Sequence, residues 1–268
     1  MTLLKEIYSL TSSNPGPKVI ILGGVHGNEI CGVEAIRRLK DAIKLEKGEL
    51  RMIIANPAAV QKNVRYIEEN LNRSFLLNNP SESYEAKLAK ELLSHLRWAD
   101  YCLDLHASNS PNSEPFIMAE PRELPYTEFF PVKLFVSGGD KFYSGTSEDF
   151  MNNQGKIGIS VECGYLGDQK STEIAISCLQ GFLVHLKMIE MVSLKRTEKN
   201  HLRVFFQYNN QEEFKLAKEF NDFEFVQNDQ LIGHDGQKKI SALKNSYVIF
   251  ARNRPKKFGE AFLLAEIA

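Results

Sequence analysis

Val19-Ile20-Ile21-Leu22 runs directly into Gly23-Gly24-Val25-His26-Gly27-Asn28-Glu29, and this junction restricts the chain to few folds. The apolar run is short, β-branched and bounded by Pro17 and a glycine pair, the pattern of a buried strand. Beyond it, Ile30, Val33, Ile36, Leu39 and Ile43 recur at a helical spacing. A strand that turns through glycines into a helix is a unit of an open α/β sheet, where ligands collect at the carboxyl ends of strands. The turn carries His26 and Glu29, three residues apart, which near a helix start can point the same way. Such a pair is half of a His/Glu/His zinc site. An H-x-x-E match arises by chance about as often as not at this composition, so the rest of the chain must support it.

Further strands follow the same plan. Leu50 to Ala55 reads as a strand ending at Asn56-Pro57. A polar stretch from Gln61 to Ser74, with Arg65 and Arg73, has the look of a functional loop. Ser81 or Ser83 caps a helix with Tyr84, Leu88, Leu92 and Leu96 on one face. Tyr101 to Leu105 is a strand that delivers His106 at its carboxyl end. The proline-rich region from Ala107 to Phe150 holds a strand at Val132 to Val136 and a turn at Gly138-Gly139-Asp140, the kind of long connection that lines binding sites. Ile157 to Val161 then places Glu162 at a strand end, and a helix is expected from about Ser171 to Met191. Alternating strands and helices predict an α/β fold: a mixed, largely parallel sheet with helices on both faces.

The character changes near residue 193. Short apolar pieces at Leu202 to Phe206, Phe223 to Val226, Tyr247 to Ala251 and Ala261 to Ile267 alternate with turn signals at Gly233-His234-Asp235-Gly236 and Asn253-Arg254-Pro255. The expected organisation is a catalytic α/β domain over residues 1–195 and a small β-rich C-terminal domain over residues 196–268 that caps the active site.

With a net charge of −1, the 268-residue chain lacks the basic footprint of a nucleic-acid or anionic-membrane binder. It contains no apolar stretch of spanning length. Its first residues lack the basic start and apolar core of a signal peptide, so a cytoplasmic protein is expected. Cys31, Cys102, Cys163 and Cys178 are far apart and read as buried, reduced thiols. Cys163 adjoins Glu162 but lacks an obvious partner base for a nucleophilic role.

The separate hints converge at one edge of the sheet. His26, Glu29 and His106 supply three metal ligands and leave a fourth position for water. Zinc lowers the pKa of such a water toward ~7. Glu162 is the candidate to take the proton of that water and deliver it to a leaving amine. Arg65 is the candidate to stabilise an oxyanion, and Asn72 with Arg73 to clamp a substrate carboxylate.

Gly24-Val25-His26-Gly27-Asn28-Glu29 resembles the G-x-H-G-N-E signature of the succinylglutamate desuccinylase/aspartoacylase family, relatives of zinc carboxypeptidases. The resemblance continues in order through Asn56-Pro57-Ala58-Ala59, Arg65-Tyr66, Leu71-Asn72-Arg73-Ser74-Phe75, Asp104-Leu105-His106 and Val161-Glu162-Cys163-Gly164, roughly residues 18 to 192. It implies a zinc-carboxypeptidase-like fold and one Zn2+ per chain on His26, Glu29 and His106. It also implies Glu162 as general base and acid, Arg65 polarising the carbonyl, and Asn72 and Arg73 holding the carboxylate. The implied partner is a small N-acyl amino acid, with neither nucleic acid nor membrane; a homo-oligomer stays open.

Three departures stand out. Asn70 occupies the place of the family's aspartate in D-L-N-R, and Asp104 is expected to orient His106. Aspartoacylases carry an arginine for the substrate's second carboxylate where this chain reads Met151-Asn152-Asn153. Their tyrosine near the chain end is replaced around Phe262-Leu263. Two alternatives to a deacylase remain at this stage, a carboxypeptidase-like enzyme acting on peptides and a catalytically inert binding protein on the same fold.

Overall fold

The computed structural model describes residues 2–111, 113–191 and 193–268; Met1, Asn112 and Val192 lie outside the described residues. In chain order the first half contains β1 (Ile7–Thr11), β2 (Lys18–Gly23), α1 (Cys31–Leu39), β3 (Glu49–Ile54), α2 (Pro57–Lys62), α3 (Tyr84–Trp98) and β4 (Tyr101–Ser108). Then come β5 (Phe116–Met118), β6 (Leu134–Ser137), α4 (Ser147–Asn153), β7 (Ile157–Tyr165) and α5 (Gln169–His185). The remainder is all β: β8 (Asn200–Asn209), β9 (Phe214–Leu216), β10 (Glu224–Val226), β11 (Leu231–Asp235), β12 (Lys238–Ser241), β13 (Ser246–Ile249) and β14 (Glu260–Ile267).

Eleven strands form one sheet in the order β1-β3-β2-β4-β7-β5-β6-β8-β14-β13-β10. Its centre, β3-β2-β4-β7, is parallel, as is β5-β6-β8, while β5 meets β7 antiparallel. The unbroken apolar character of β2 follows from burial on both faces. Val19 and Ile21 pack into the cluster that includes Val33 and Ile36 of α1 and Leu179 and Phe182 of α5. Ile20 and Leu22 pack with Leu88, Leu92 and Leu96 of α3 and Phe150 of α4 on the other side. Each of these fully buried aliphatic or aromatic side chains is worth about 1.5–3 kcal/mol of transfer free energy.

Three sequence expectations change. The strand expected to stop before Glu162 continues to Tyr165, because its pairing with β4 persists through His106 opposite Glu162. The helix expected to reach Met191 stops at His185, and Lys187 leaves the helical path with φ of 54°. The glycine–histidine turn at 233–236 is mostly strand; only Gly236 turns, in the tight connection from β11 to β12. Beyond residue 195, β8 pairs with β6, so β8, β14, β13 and β10 prolong the large sheet. Only β9, β11 and β12 form a second, antiparallel sheet of three strands.

The stretch between α2 and α3 is irregular, yet it is tightly anchored. Glu85, in the first turn of α3, is fully buried. Its carboxylate accepts the backbone N–H groups of Ile67, Glu68 and Glu69 at 2.7, 3.1 and 3.2 Å. It also accepts Nδ2–H of Asn56 at 3.2 Å, while Asn56 Oδ1 caps α2 by accepting the Ala59 N–H at 3.2 Å. One carboxylate therefore ties the loop that bears Arg65, Asn70, Asn72 and Arg73 to the helix layer. Glu85→Ala strands those buried donors and should cost on the order of 3 kcal/mol of unfolding free energy, read from urea denaturation. Glu85→Gln, which keeps an acceptor oxygen, should cost less.

Candidate metal centre and its pocket

The turn after β2 brings His26 and Glu29 together through backbone geometry that side chains elsewhere would block. Gly24 adopts φ of +69°, and a Cβ on Gly27 would sit 2.1 Å from the Ala59 carbonyl carbon. The Glu29 N–H donates to the His26 carbonyl at 3.1 Å, so both residues lie in the turn before α1 starts at Cys31. Gly27 N–H donates to the Arg65 carbonyl at 3.1 Å, which joins the turn to the anchored loop. From the neighbouring strand, His106 arrives two residues beyond the Leu22–Asp104 pair of the β2–β4 ladder.

His26, Glu29 and His106 are buried, and their ligating atoms all lie within 4.8 Å of one another. Both imidazoles turn Nδ1 toward Glu29: His26 Nδ1 is 2.9 Å from Oε1, and His106 Nδ1 is 2.9 Å from Oε2. Both turn Nε2 outward. His26 Nε2–H donates to Asn70 Oδ1 at 3.0 Å, and His106 Nε2 faces Asp104 Oδ2 at 3.2 Å. Asn70 Oδ1 also accepts the Asn72 N–H at 2.9 Å, which identifies that atom as the oxygen and places the His26 proton on Nε2. Asn70 thus performs the orienting task with a neutral amide. An outward hydrogen bond that fixes the ring while the inner nitrogen keeps its lone pair is the usual support of a metal-binding histidine.

Charge makes the same point. Burial holds the His26 pKa below its ordinary value, leaving a neutral ring. Burial opposes ionisation of Glu29, but the His106 imidazole, whose Nδ1–H donates to Oε2, helps hold its carboxyl well below the usual range. A neutral Nδ1 lone pair therefore faces an ionised oxygen at 2.9 Å, and that buried nitrogen has no hydrogen-bond partner among the described residues. A cation between them resolves the conflict, so the donor set fits a divalent metal, and two imidazoles with one carboxylate suit zinc. For His106, burial is outweighed by the Asp104 and Glu29 carboxylates, and its pKa is raised well above the ordinary value.

The remaining sequence candidates gather on the same cavity, of about 590 Å³, which His26, Glu29, Arg65, Asn72, Arg73, His106 and Glu162 all line. Glu162 lies directly opposite His106 in the β4–β7 ladder, and its Oε2 is buried without a hydrogen-bond partner. Burial, then the nearby Glu29 carboxylate, push its pKa up to about 8. Arg65 Nη1–H donates to Glu29 Oε1 at 2.7 Å. Its side chain remains about one-third exposed, with further donors facing the cavity. Asn72 Oδ1 accepts the Ser147 N–H at 3.3 Å, and Arg73 lies over the Tyr143 ring at 4.7 Å.

Several residues in or behind the pocket had no signal in the sequence. Ser147 Oγ–H donates to Asp104 Oδ2 at 2.5 Å, linking the support of His106 to the helix that holds Asn72. Tyr143 and Glu148 enter from the irregular middle region. Residues 219–222, 250–253 and Glu260 close the cavity from the C-terminal part. His95, His185 and His201 lie elsewhere, paired with Arg51, Glu128 and Ser137. Burial raises the Cys163 thiol well above its usual range, so it is not a nucleophile.

Residues 15–183 match the family model described as the succinylglutamate desuccinylase/aspartoacylase catalytic domain. An N-acyl-aromatic-L-amino acid amidohydrolase of Rattus norvegicus is 31% identical over 179 residues, 57% of this chain and 54% of that protein. Aspartoacylase of Rattus norvegicus is 34% identical over 130 residues, 42% of this chain and 41% of its own length. The chain thus spans about half the length of the first of these relatives and less of the second. Succinylglutamate desuccinylase of Vibrio cholerae superposes with a TM-score of 0.82 at 18% identity, covering 97% of this chain and 85% of that one. A product-bound ectoine utilization protein of Ruegeria pomeroyi gives 0.76 at 19% identity over 96% and 87% of the two chains. At such identities the superpositions establish the fold.

Asn70→Ala should weaken zinc affinity roughly 10- to 100-fold, as measured by competition with a chelating dye. Asn70→Asp should tighten it. Unchanged affinity in the alanine variant would mean that His26 is held by other groups.

Proposed function

The chain belongs to the succinylglutamate desuccinylase/aspartoacylase family, and we propose that it hydrolyses the amide of an N-acyl amino acid, with zinc on His26, Glu29 and His106. The observation that carries this reading is the convergence of two outward-anchored imidazoles on one buried carboxylate, with a second carboxylate, Glu162, beside them in the ladder. A zinc ion bound there supplies Lewis acidity, lowering the pKa of water and polarising a carbonyl.

The chain's own residues divide the remaining work. Glu162 takes a proton from the attacking water and returns it to the departing amine nitrogen, so one carboxylate serves as base and then acid. Its burial keeps the proton from being lost to bulk water between those steps. Arg65 presents N–H donors where negative charge develops on the carbonyl oxygen. Arg73, with no carboxylate within 4 Å among the described residues, is available to take the substrate carboxylate together with Asn72. The products are a carboxylic acid and a free amino acid.

We read residues 1–195 as the catalytic part and 196–268 as the part that closes its mouth. Residues 219–222 and 250–253 on the cavity wall favour a small substrate over a peptide chain. A cytoplasmic location belongs to the same proposal, supported by four buried, unpaired thiols.

Glu162→Gln should retain about one zinc per chain and lose turnover by about 10²–10⁴-fold. Because Glu162 acts as base only when ionised, kcat/KM should rise with pH through its pKa. A dication at the neighbouring ligands favours the ionised form, so that acid limb should lie below the value of about 8 set by burial and Glu29. The limb should vanish in Glu162→Gln; a fully active variant would overturn the assignment.

A further inference from the structure

The segment from Tyr143 to Ser147 cradles the stretch that carries Asn72 and Arg73. The Gly145 carbonyl accepts the Phe75 N–H at 3.1 Å, and a Cβ on Gly145 would stand 2.6 Å from the Arg73 carbonyl oxygen. The Ser147 N–H donates to Asn72 Oδ1 at 3.3 Å. These contacts fix the Arg73 backbone and leave its long side chain to find its own place. Arg73 is exposed, and its Nη1–H donates to the Asn72 carbonyl at 2.6 Å. Its guanidinium carbon lies 4.7 Å from the centre of the Tyr143 ring, within cation–π reach.

That ring is a fixed seat. Tyr143 is buried in the apolar cluster that includes Phe116, Met118 and Val136, and its N–H donates to the Gly139 carbonyl at 2.9 Å. Its hydroxyl hydrogen-bonds Glu260 at the start of β14, and Glu260 pairs with Arg252 at 2.9 Å. The residue is thus anchored at both ends. The kind of restraint it offers also matters. Glu148 lines the same cavity, near enough for the charge of Arg73 to be felt at its carboxylate. A guanidinium that swung onto such a carboxylate would spend its N–H donors there. Attraction to the negative face of a ring holds the cation and leaves those donors free.

Resting on the deacylase reading and its placement of the substrate carboxylate on Arg73, we propose that Tyr143 is a positioning residue whose ring holds the Arg73 guanidinium ready for that carboxylate. It acts through Arg73 and at binding. An arginine already seated loses less side-chain freedom when the substrate arrives, so the effect falls on KM and leaves kcat nearly unchanged. Loss of the ring's attraction should raise KM roughly 3- to 30-fold.

The test varies the electron density of the ring and keeps its shape. Position 143 of the zinc-loaded full chain is filled with phenylalanine and with its mono-, di- and trifluoro analogues. Each is assayed on whichever of N-acetylaspartate, N-acetylglutamate, N-acetylmethionine and N-acetylphenylalanine the wild-type chain turns over best. Relative to Tyr143→Phe, KM should climb with each added fluorine, at constant kcat and constant zinc content. In an Arg73→Ala background the same series should leave kcat/KM flat. Where Tyr143→Phe is too unstable to assay, fluorinated tyrosines at this position keep the hydroxyl and give the same readout. A KM indifferent to fluorine, or a rise of equal size without Arg73, would overturn this inference while the deacylase reading stands. Absence of turnover on every N-acyl amino acid tried would overturn that reading and this inference with it.

Discussion

A carboxylate only 2% exposed is the demand around which this protein is built. Desolvating Glu29 costs several kcal/mol unless positive or hydrogen-bonding groups surround it. Here the His106 imidazole, the Arg65 guanidinium and the Ala107 N–H donate to it, while His26 Nδ1 faces it. These groups come from separate parts of the chain, so satisfying this one carboxylate requires the β2 turn, the β4 end and the loop after α2 to be correctly placed together. The same convergence leaves a neutral lone pair against an anionic oxygen, a residual conflict suited to a divalent ion. Stability and the fit for a metal ion are thus two aspects of one arrangement.

Two further connections extend that dependence into the substrate pocket. Glu85 takes three consecutive backbone N–H groups of the loop that bears Arg65 and Arg73, so a helix-layer carboxylate sets where those arginines stand. Ser147 touches Asp104 with its hydroxyl and Asn72 with its backbone N–H, joining the support of His106 to Asn72. Metal side and substrate side share their supports. Displacement of either would be felt by the other through short, buried hydrogen bonds rather than through the sheet as a whole.

Much of the centre was legible in the chain because its parts sit on regular elements. A β-branched run, a glycine turn and a helical spacing identify β2 and α1, and the strand before His106 places that residue at the same sheet edge. The seven candidate residues are therefore found on one cavity. Where the reading stopped short, the cause was tertiary. Strand β7 runs past Glu162 because β4 continues to pair with it, and no local signal marks that continuation. Glu85 looks like any acidic residue in a first helical turn, since a helix welcomes a carboxylate there whether or not a loop folds over it. Tyr143, Ser147 and Glu148 come from a stretch without period, where contacts are decided by neighbours distant in sequence.

The residues by themselves determined the chemical groups on offer: two histidines, two glutamates and arginines, tied to strand ends and turns by short-range pattern. Only the tertiary structure decided their states. It alone turned both Nδ1 atoms onto Glu29, gave Asn70 the orienting task and carried the C-terminal strands onto the large sheet to wall the pocket. Local pattern records which groups a segment carries, but desolvation and charge pairing depend on what surrounds them, and in this fold those surroundings come from strands and loops far away in the sequence.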